Sequence, residues 1–309
     1  MRLPTPIPDE FAALAQREVV VDGCRISYTE AGSGPTVLLL HGAVFAGNVF
    51  WWETQAALAP HCRTVAPDYP GWGASEKPTG PYGMEHYHAF VKGFMDALGL
   101  DKVVIIGHSM GGLVGSSFAL LHPERVLSFA ALAAPPAWAS AELPWLFQPF
   151  QHALLGEVMM FFTPMLGPRH PLGVRRFYEA LFHDVRTVPP HRLHLALEGC
   201  CEATADPAHR LAFLNTVRSN RPHFSGGNEQ MKALAKGLSV PVTLIAGKQD
   251  SLFPVEMITQ SAREAPGVKL AVLDPCGHFP TWEQPELVTE LLLEIIAEAH
   301  PPGASQAAS

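Results

Sequence analysis

The chain has 309 residues, of which 48% are hydrophobic and 16% are charged. This composition predicts a soluble globular protein with a sizeable apolar core, and it excludes a disordered chain. The formal net charge is −8, and no cluster of basic residues forms a stripe that could neutralise phosphates. Nucleic acid is therefore not an expected partner.

Five cysteines are few for this length, and Cys200 and Cys201 are adjacent, too close for an ordinary disulfide. Reduced thiols and a cytoplasmic location are the simpler expectation. The start, MRLPTPIPDE, lacks the apolar block of a secretory peptide, so we expect no targeting segment. Prolines and Glu142 interrupt the most apolar region, residues 127–150, and exclude a continuous membrane span there. We expect a monomer or a homodimer.

The first third of the chain carries strand patterns with short connections. Strand patterns at 17–21 and 25–32 are joined by Asp22 and Gly23, which predicts an antiparallel pair, and TVLLL follows at 36–40. Short apolar runs then alternate with helical patterns, at 64–68, 103–107 and 129–133. This alternation is typical of a parallel sheet with helices on both faces.

The alternation stops after the strand predicted at 129–133. Residues 137–232 show helical patterns broken by prolines, so they form a candidate helical cap inserted into a core made of 1–136 and 233–300. In the second part of the core, strands are predicted at 240–247 and 268–274, followed by a helix over 285–299. The remaining residues, 301–309, are rich in Pro, Ala and Ser and predict a disordered tail.

A serine stands at the junction of a predicted strand and a predicted helix, in the stretch DKVVIIGHSMGGLVG. The pattern Gly107-His108-Ser109-Met110-Gly111 supplies the small residues that a sharp strand-to-helix turn requires. Such a turn exposes the hydroxyl above the sheet and places the first amides of the helix where they can stabilise negative charge. A serine that merely caps the helix is the alternative.

Three further segments favour a catalytic serine. His278, in CGHFPTWEQPE, supplies a base, and Asp250, in GKQDSLFP, follows a predicted strand and can orient that base. Asp274 also lies near His278 in sequence, but it has little chain with which to swing across. The turn LLLHGAVFAGN can direct a backbone amide at an oxyanion, and Ala43 is the residue assigned to it.

Together these segments resemble the α/β-hydrolase superfamily, in the branch with a serine nucleophile and a helical cap. The resemblance rests on HGAVFAG, DYPGWGASEKP, GHSMGG, GKQDSLFP and CGHFPTWEQPE, which stand in the family's order over nearly the whole core. It implies the α/β-hydrolase fold, with a mostly parallel eight-stranded sheet. It also implies Ser109 as nucleophile, His278 as base and acid, Asp250 as its carboxylate, and the amides of Ala43 and Met110 as the oxyanion hole.

The resemblance further implies a serine esterase that cleaves apolar esters through an acyl-enzyme and needs no cofactor. The chain also resembles carbon–carbon bond hydrolases of ring-cleavage products. Those enzymes usually carry Asn where this chain has His108, and a more glycine-rich turn after the His-Gly pair that follows the third strand. The HGGPG turn of proline iminopeptidase is absent, and dehalogenases and epoxide hydrolases carry Asp at the position of Ser109. A cofactor-independent oxygenase or haloperoxidase and a non-catalytic receptor remain alternatives.

The middle segment supplies candidates for substrate binding. Phe161 and Phe162 in MMFFTPML, together with Trp138, either line an apolar pocket or form the core of the cap. Histidines are scattered through the same segment, but none has the spacing of a metal site, so no metal is expected.

Overall fold

In the computed structural model, residues 14–43, 47–166, 178–224 and 229–301 are described. They form an eight-stranded sheet in the order β1-β2-β4-β3-β5-β6-β7-β8. The strands are β1 (Ala15–Val21), β2 (Cys24–Ala31), β3 (Thr36–Leu40), β4 (Arg63–Pro67), β5 (Val103–His108), β6 (Val126–Leu132), β7 (Val242–Gly247) and β8 (Lys269–Leu273).

The strand directions follow the sequence prediction. β1 pairs antiparallel with β2 across the turn at Asp22 and Gly23, both of which have positive φ, and β2 is also antiparallel to β4. Every other pair in the sheet is parallel. The predicted α/β-hydrolase architecture, a mostly parallel sheet flanked by helices, is confirmed. All residues of β5 are buried, as expected of a central strand covered on both faces.

Helices connect the strands and cover the sheet. They are α1 (Trp52–Leu58), α2 (Met84–Ala97), α3 (Met110–Leu121), α4 (Leu155–Leu166), α5 (Pro190–Ala205), α6 (Pro207–Ser219), α7 (Arg221–Phe224), α8 (Glu229–Ala235), α9 (Val255–Arg263), α10 (Pro280–Glu283) and α11 (Pro285–Ala299). The helix predicted over 285–299 coincides with α11. Among the described residues, no helix is both long and apolar enough to cross a membrane.

Helices α4 to α8 lie in the insertion between β6 and β7. This insertion contains the segment predicted as a helical cap, and its status as a separate domain stays a prediction. Two side chains of α5 attach it to the core: Arg192 and His191 both pair with Glu53 of α1, at 2.5 and 2.7 Å. The disordered tail was predicted over 301–309, of which 302–309 lie outside the described residues.

Candidate active site

Ser109 occupies the sharp turn between β5 and α3. Its backbone adopts φ +52° and ψ −117°, a strained conformation for a residue with a side chain. A Cβ added at Gly107 would lie 2.2 Å from the carbonyl oxygen of Gly111, and one added at Gly111 would lie 2.1 Å from that of Leu40. The two glycines that flank the serine are therefore required because the backbones approach too closely for any side chain.

The structure brings together the three side chains that the sequence predicted. His278 Nε2 lies 3.1 Å from Ser109 Oγ, and His278 Nδ1 lies 2.8 Å from Asp250 Oδ2. All three residues are buried, and Ser109 retains 8% exposure. Asp250 Oδ1 accepts hydrogen bonds from the backbone N–H groups of Leu252 and Phe253, at 2.8 and 3.1 Å. These two bonds fix the carboxylate that faces the imidazole.

The alternative carboxylate, Asp274, points elsewhere. Its side chain accepts hydrogen bonds from Lys248 Nζ at 2.6 Å and from Gln249 Nε2 at 2.8 Å. The Lys248 ammonium is the main reason why the pKa of Asp274 lies below its usual range. The geometry thus selects Asp250 as the partner of His278.

Glu283, which sequence reasoning missed, holds the loop that carries His278. Its Oε2 accepts the backbone N–H groups of Gly277 (3.0 Å) and His183 (2.8 Å), and its Oε1 accepts that of Phe279 (3.1 Å). One carboxylate therefore binds the residues on both sides of His278 and a residue of the insertion. The only signal in the sequence was a single acid five positions after the histidine.

The insertion also contacts the His278 backbone directly. The N–H of His278 donates to the carbonyl of Leu181 at 2.7 Å. A Cβ on Gly277 would lie 2.5 Å from the same carbonyl oxygen, so the two segments approach within the limit set by glycine. From the other side, His108 Nε2 lies 2.8 Å from the carbonyl oxygen of His278 and donates to it. The position of the imidazole thus depends on both the core and the insertion.

Two neighbouring histidines are buried and neutral. Burial lowers the pKa of His41 to about 4 and that of His108 well below its usual range. His41 Nε2 accepts the N–H of Tyr69 at 3.2 Å, so its Nδ1 carries the proton and donates to the carbonyl of Gly42 at 2.7 Å. His108 stacks on Phe50, with ring centroids 4.3 Å apart. Both histidines support the turns around Ser109 by these contacts.

Asp68 organises the loop after β4. Its carboxylate accepts the N–H groups of Asn48 at 2.6 Å and Ala74 at 2.8 Å. Burial raises the pKa of Asp68 to about 7, against the lowering effect of these two bonds. Gly47 and Gly73 leave the carboxylate the space it occupies, because a Cβ at either position would lie within 2.3 Å of one of its oxygens.

A cavity of about 60 Å³ opens beside Ser109. Ala43 and Met110 line it, and Met110 is the first residue of α3, where backbone N–H groups lack an intrahelical acceptor. The rest of its described wall is mostly apolar and comes from the core and the insertion: Met84, Leu113, Pro135, Leu143, Pro144, Phe147, Thr216, Val217, Asn220 and Phe253. A smaller recess next to His278 is lined by Tyr178, Leu181, Leu252 and Phe279.

The three residues predicted to bind substrate lie elsewhere, and that prediction is corrected. Phe161 and Phe162 are 57% and 50% exposed because they lie on the outer face of α4. Trp138 is 1% exposed, and its indole N–H donates to the carbonyl of Ser261 at 3.0 Å, which places it in the core. The described residues that line the cavity include none of these three. Within the same described ranges, no group of three or more His, Cys, Asp or Glu side chains could hold a metal ion.

The comparisons with known proteins agree with this geometry. The family model of the alpha/beta hydrolase fold matches residues 35–157. An uncharacterised protein of Mycobacterium tuberculosis is 27% identical over 294 residues, covering 93% of this chain and 83% of that protein. The 2-hydroxymuconate semialdehyde hydrolase of Pseudomonas putida is 25% identical over 296 residues, covering 92% of this chain and 94% of that enzyme.

A solved structure extends the likeness to the whole fold. The meta-cleavage product hydrolase of Pseudomonas fluorescens IP01 superposes with a TM-score of 0.74 at 22% identity, covering 93% of this chain and 98% of that one. The sheet order, the turn at Ser109 and these matches lead to one conclusion: the protein has the α/β-hydrolase fold, and its residues 35–157 match the family of that name.

Proposed function

We propose that the protein is a serine hydrolase that cleaves carboxylic esters of apolar acids or alcohols through an acyl-enzyme on Ser109. One observation supports this proposal above all others. Ser109, His278 and Asp250 form a hydrogen-bonded series beside a cavity, and the described residues that line this cavity are mostly apolar. A hydroxyl that is paired with an imidazole, and an imidazole that is paired with a fixed carboxylate, form an activated nucleophile.

In the first half-reaction, Ser109 Oγ attacks the ester carbonyl and His278 Nε2 takes the hydroxyl proton. The resulting imidazolium is stabilised by Asp250, whose other oxygen is already occupied by two backbone N–H groups. The N–H groups of Met110 and Ala43 stabilise the oxyanion. His278 then returns the proton to the leaving alkoxide, and the alcohol departs.

In the second half-reaction, water takes the place of the alcohol. His278 removes a proton from the water, the hydroxide attacks the acyl carbon, and collapse of the tetrahedral intermediate releases the acid and restores Ser109 Oγ–H. The groups that act in the first step act again here in the reverse order of proton transfer. In both half-reactions His278 is the group of the protein that accepts the proton and then donates it.

The cavity wall supports an apolar substrate. Among the residues that the structure describes, those lining the cavity include no lysine, arginine, aspartate or glutamate. Each methylene group that the substrate buries against such a wall contributes roughly 0.8 kcal/mol. An ionic group buried there would lose its hydration without gaining a partner.

Carbon–carbon bond cleavage is the second candidate, because the named relatives favour it. The Pseudomonas putida relative is a 2-hydroxymuconate semialdehyde hydrolase, and its substrate's name denotes a carboxylate. The described part of the cavity wall offers no cation to bind a carboxylate. We therefore rank ester hydrolysis first.

Turnover of a series of p-nitrophenyl esters, from acetyl to decanoyl, tests the proposal against ring-cleavage products of catechols. We expect ester turnover that is lost in Ser109→Ala, and little turnover of the ring-cleavage products. Efficient cleavage of the ring-cleavage products with weak ester turnover would reverse the ranking. Oxygen uptake without added cofactor would indicate the oxygenase alternative instead.

The cytoplasmic location and the monomer or homodimer state stay predictions. All five thiols are free, as a reducing compartment requires.

A further inference from the structure

Asn220, which lines the cavity beside Ser109, carries a buried side-chain acceptor without a partner. The residue caps the C-terminus of α6, is 5% exposed, and lines the same cavity as Ser109. Its Nδ2 donates to the carbonyls of Tyr82 at 2.9 Å and Thr216 at 2.8 Å. Its Oδ1 is buried and has no hydrogen-bond partner.

The orientation of this amide is determined by its neighbours. Exchanging the oxygen and nitrogen of Asn220 would place Oδ1 against the two carbonyl oxygens that Nδ2 now contacts, so the network fixes the nitrogen toward them. The oxygen therefore points away from these two carbonyls. A buried carbonyl without a donor costs free energy unless something else supplies the donor.

The other polar side chains of the cavity wall are already paired. Ser109 Oγ forms a hydrogen bond with His278 Nε2. Thr216 Oγ1 donates to the carbonyl of Ala212 at 2.8 Å and lies 2.7 Å from the hydroxyl of Tyr87, which donates to it. Among the described residues that line the cavity, Asn220 thus carries the one buried side-chain oxygen or nitrogen without a partner.

We infer that Asn220 Oδ1 accepts a hydrogen bond from the substrate, which is therefore an apolar ester that also carries a neutral donor, a hydroxyl or an amide N–H. This inference rests on the proposed function and narrows its substrate class. A carboxylate in the same place would set a negative charge against an acceptor oxygen. An ammonium group would be buried without a counter-ion in the described wall.

Matched esters test the inference. Methyl ω-hydroxyhexanoate and its ω-methoxy analogue differ in the donor on the acyl side, and ω-hydroxybutyl and ω-methoxybutyl acetate differ on the alcohol side. In one of the two pairs we expect the hydroxyl ester to have a kcat/KM about tenfold higher, the effect of one buried hydrogen bond. Asn220→Ala should bring this ratio to about one.

The ratio is measured within each variant, so a general loss of stability or activity cancels. Thr216→Val is the matched control, because it removes a polar group of the same wall whose bonds are already made, and it should keep the tenfold ratio. Equal kcat/KM values within both pairs in the wild type, or a ratio that survives in Asn220→Ala, would overturn the inference.

A binding measurement separates this inference from the proposed function. If no ester is turned over, ester hydrolysis fails, and calorimetry with hexane-diol and its mono-methyl ether then judges Asn220 alone. We expect the diol to bind about tenfold more tightly to the wild type and equally to Asn220→Ala. Equal binding of both compounds to the wild type would reject the donor site even if esters are hydrolysed.

Discussion

The loops around Ser109 and the helices of the insertion are built by different means. At the carboxyl end of the sheet, backbones touch: a Cβ on Gly247 would lie 2.0 Å from the carbonyl oxygen of Gly277, and one on Gly42 would lie 2.9 Å from Ser109 Cβ. In the insertion, by contrast, α4 leaves large apolar side chains half exposed, including Leu155, Val158, Met159, Phe161 and Phe162. Close backbone contacts around Ser109 allow only one arrangement of the reacting groups. The exposed face of α4, by contrast, can accept many different side chains.

The two regions meet at the loop of His278. Glu283 and the carbonyl of Leu181 bind the backbone there, one from the core and one from the insertion. The insertion therefore contributes to the placement of the base as well as to the cavity wall. A variant can separate these contributions, because an effect on the base changes the turnover of every substrate and an effect on the wall changes the order of preference.

The largest effect is expected at Ser109, in the rigid region. Ser109→Ala should lower kcat about 10⁶-fold, as loss of a serine nucleophile does in other hydrolases with such a triad. A fluorophosphonate should label Ser109 in the wild type, as peptide mass spectrometry can show. Labelling of another residue, with turnover retained in the alanine variant, would remove Ser109 from the mechanism.

The second prediction concerns the free energy of unfolding at acidic pH, which buried histidines in both regions should lower. Burial lowers the pKa of His41 in the core to about 4 and of His209 in the insertion to about 3, from 6.5. As the pH falls, these imidazoles take up protons in the unfolded chain before they do so in the folded protein. The folded state therefore keeps its full stability above pH 6.5 and loses stability as the pH falls toward the pKa values of the folded state. Each such group contributes about 1.4 kcal/mol per pH unit to that loss.

His108 acts in the same direction, and Asp68 acts in the opposite one. Burial raises the pKa of Asp68 to about 7 from 3.8, so its protonation favours the folded state as the pH falls through that interval. Three histidines against one carboxylate leave a net loss. Urea unfolding at pH 7, 6, 5 and 4 measures how steeply the free energy of unfolding depends on pH. In His209→Gln this slope should be smaller by the contribution of one proton. A free energy of unfolding that does not change from pH 6.5 to 4 would contradict the prediction.

The third prediction tests the contact between the two regions. Glu283→Gln keeps the shape of the side chain but loses one acceptor and its charge, while three N–H groups still require partners. We expect the free energy of unfolding to fall by about 2 kcal/mol. Turnover of all esters should fall together, because the base is displaced for each of them. Glu286→Gln, at an exposed position of α11, is the control and should change neither quantity.

The same contrast explains how far the sequence could be interpreted. Gly107, Gly111 and the apolar runs beside them predicted β5, the turn and α3, because steric exclusion leaves few alternatives there. The pairing of His278 with Asp250 followed from strand ends that meet at one edge of a parallel sheet. Glu283 was missed because its role depends on a backbone contact with the insertion, which no local pattern records.

The prediction for Phe161 and Phe162 failed for a related reason. An apolar run on a helix indicates burial, but it does not say which face of the helix meets the cavity. Phe147, which lines both the cavity and the recess next to His278, stands in a short turn without a helical period. Its position is set by packing against Phe213, at a ring-centroid distance of 6.2 Å, and so by tertiary structure.

The smallest effects are expected on the outer face of α4, and they give the sharpest test of which side of the insertion meets the substrate. Phe162→Ala removes a side chain that is 50% exposed, so the free energy of unfolding should change by no more than about 0.5 kcal/mol. The preference for acyl chain length, taken as kcat/KM from acetyl to decanoyl esters, should stay the same. Phe147→Ala is the matched variant: it removes the same side chain from the cavity wall, and longer acyl groups should gain several-fold relative to acetyl because the cavity is enlarged. A shift of preference in Phe162→Ala with none in Phe147→Ala would show that the outer face of α4 turns toward the substrate, and the two regions would then have exchanged the roles argued for them.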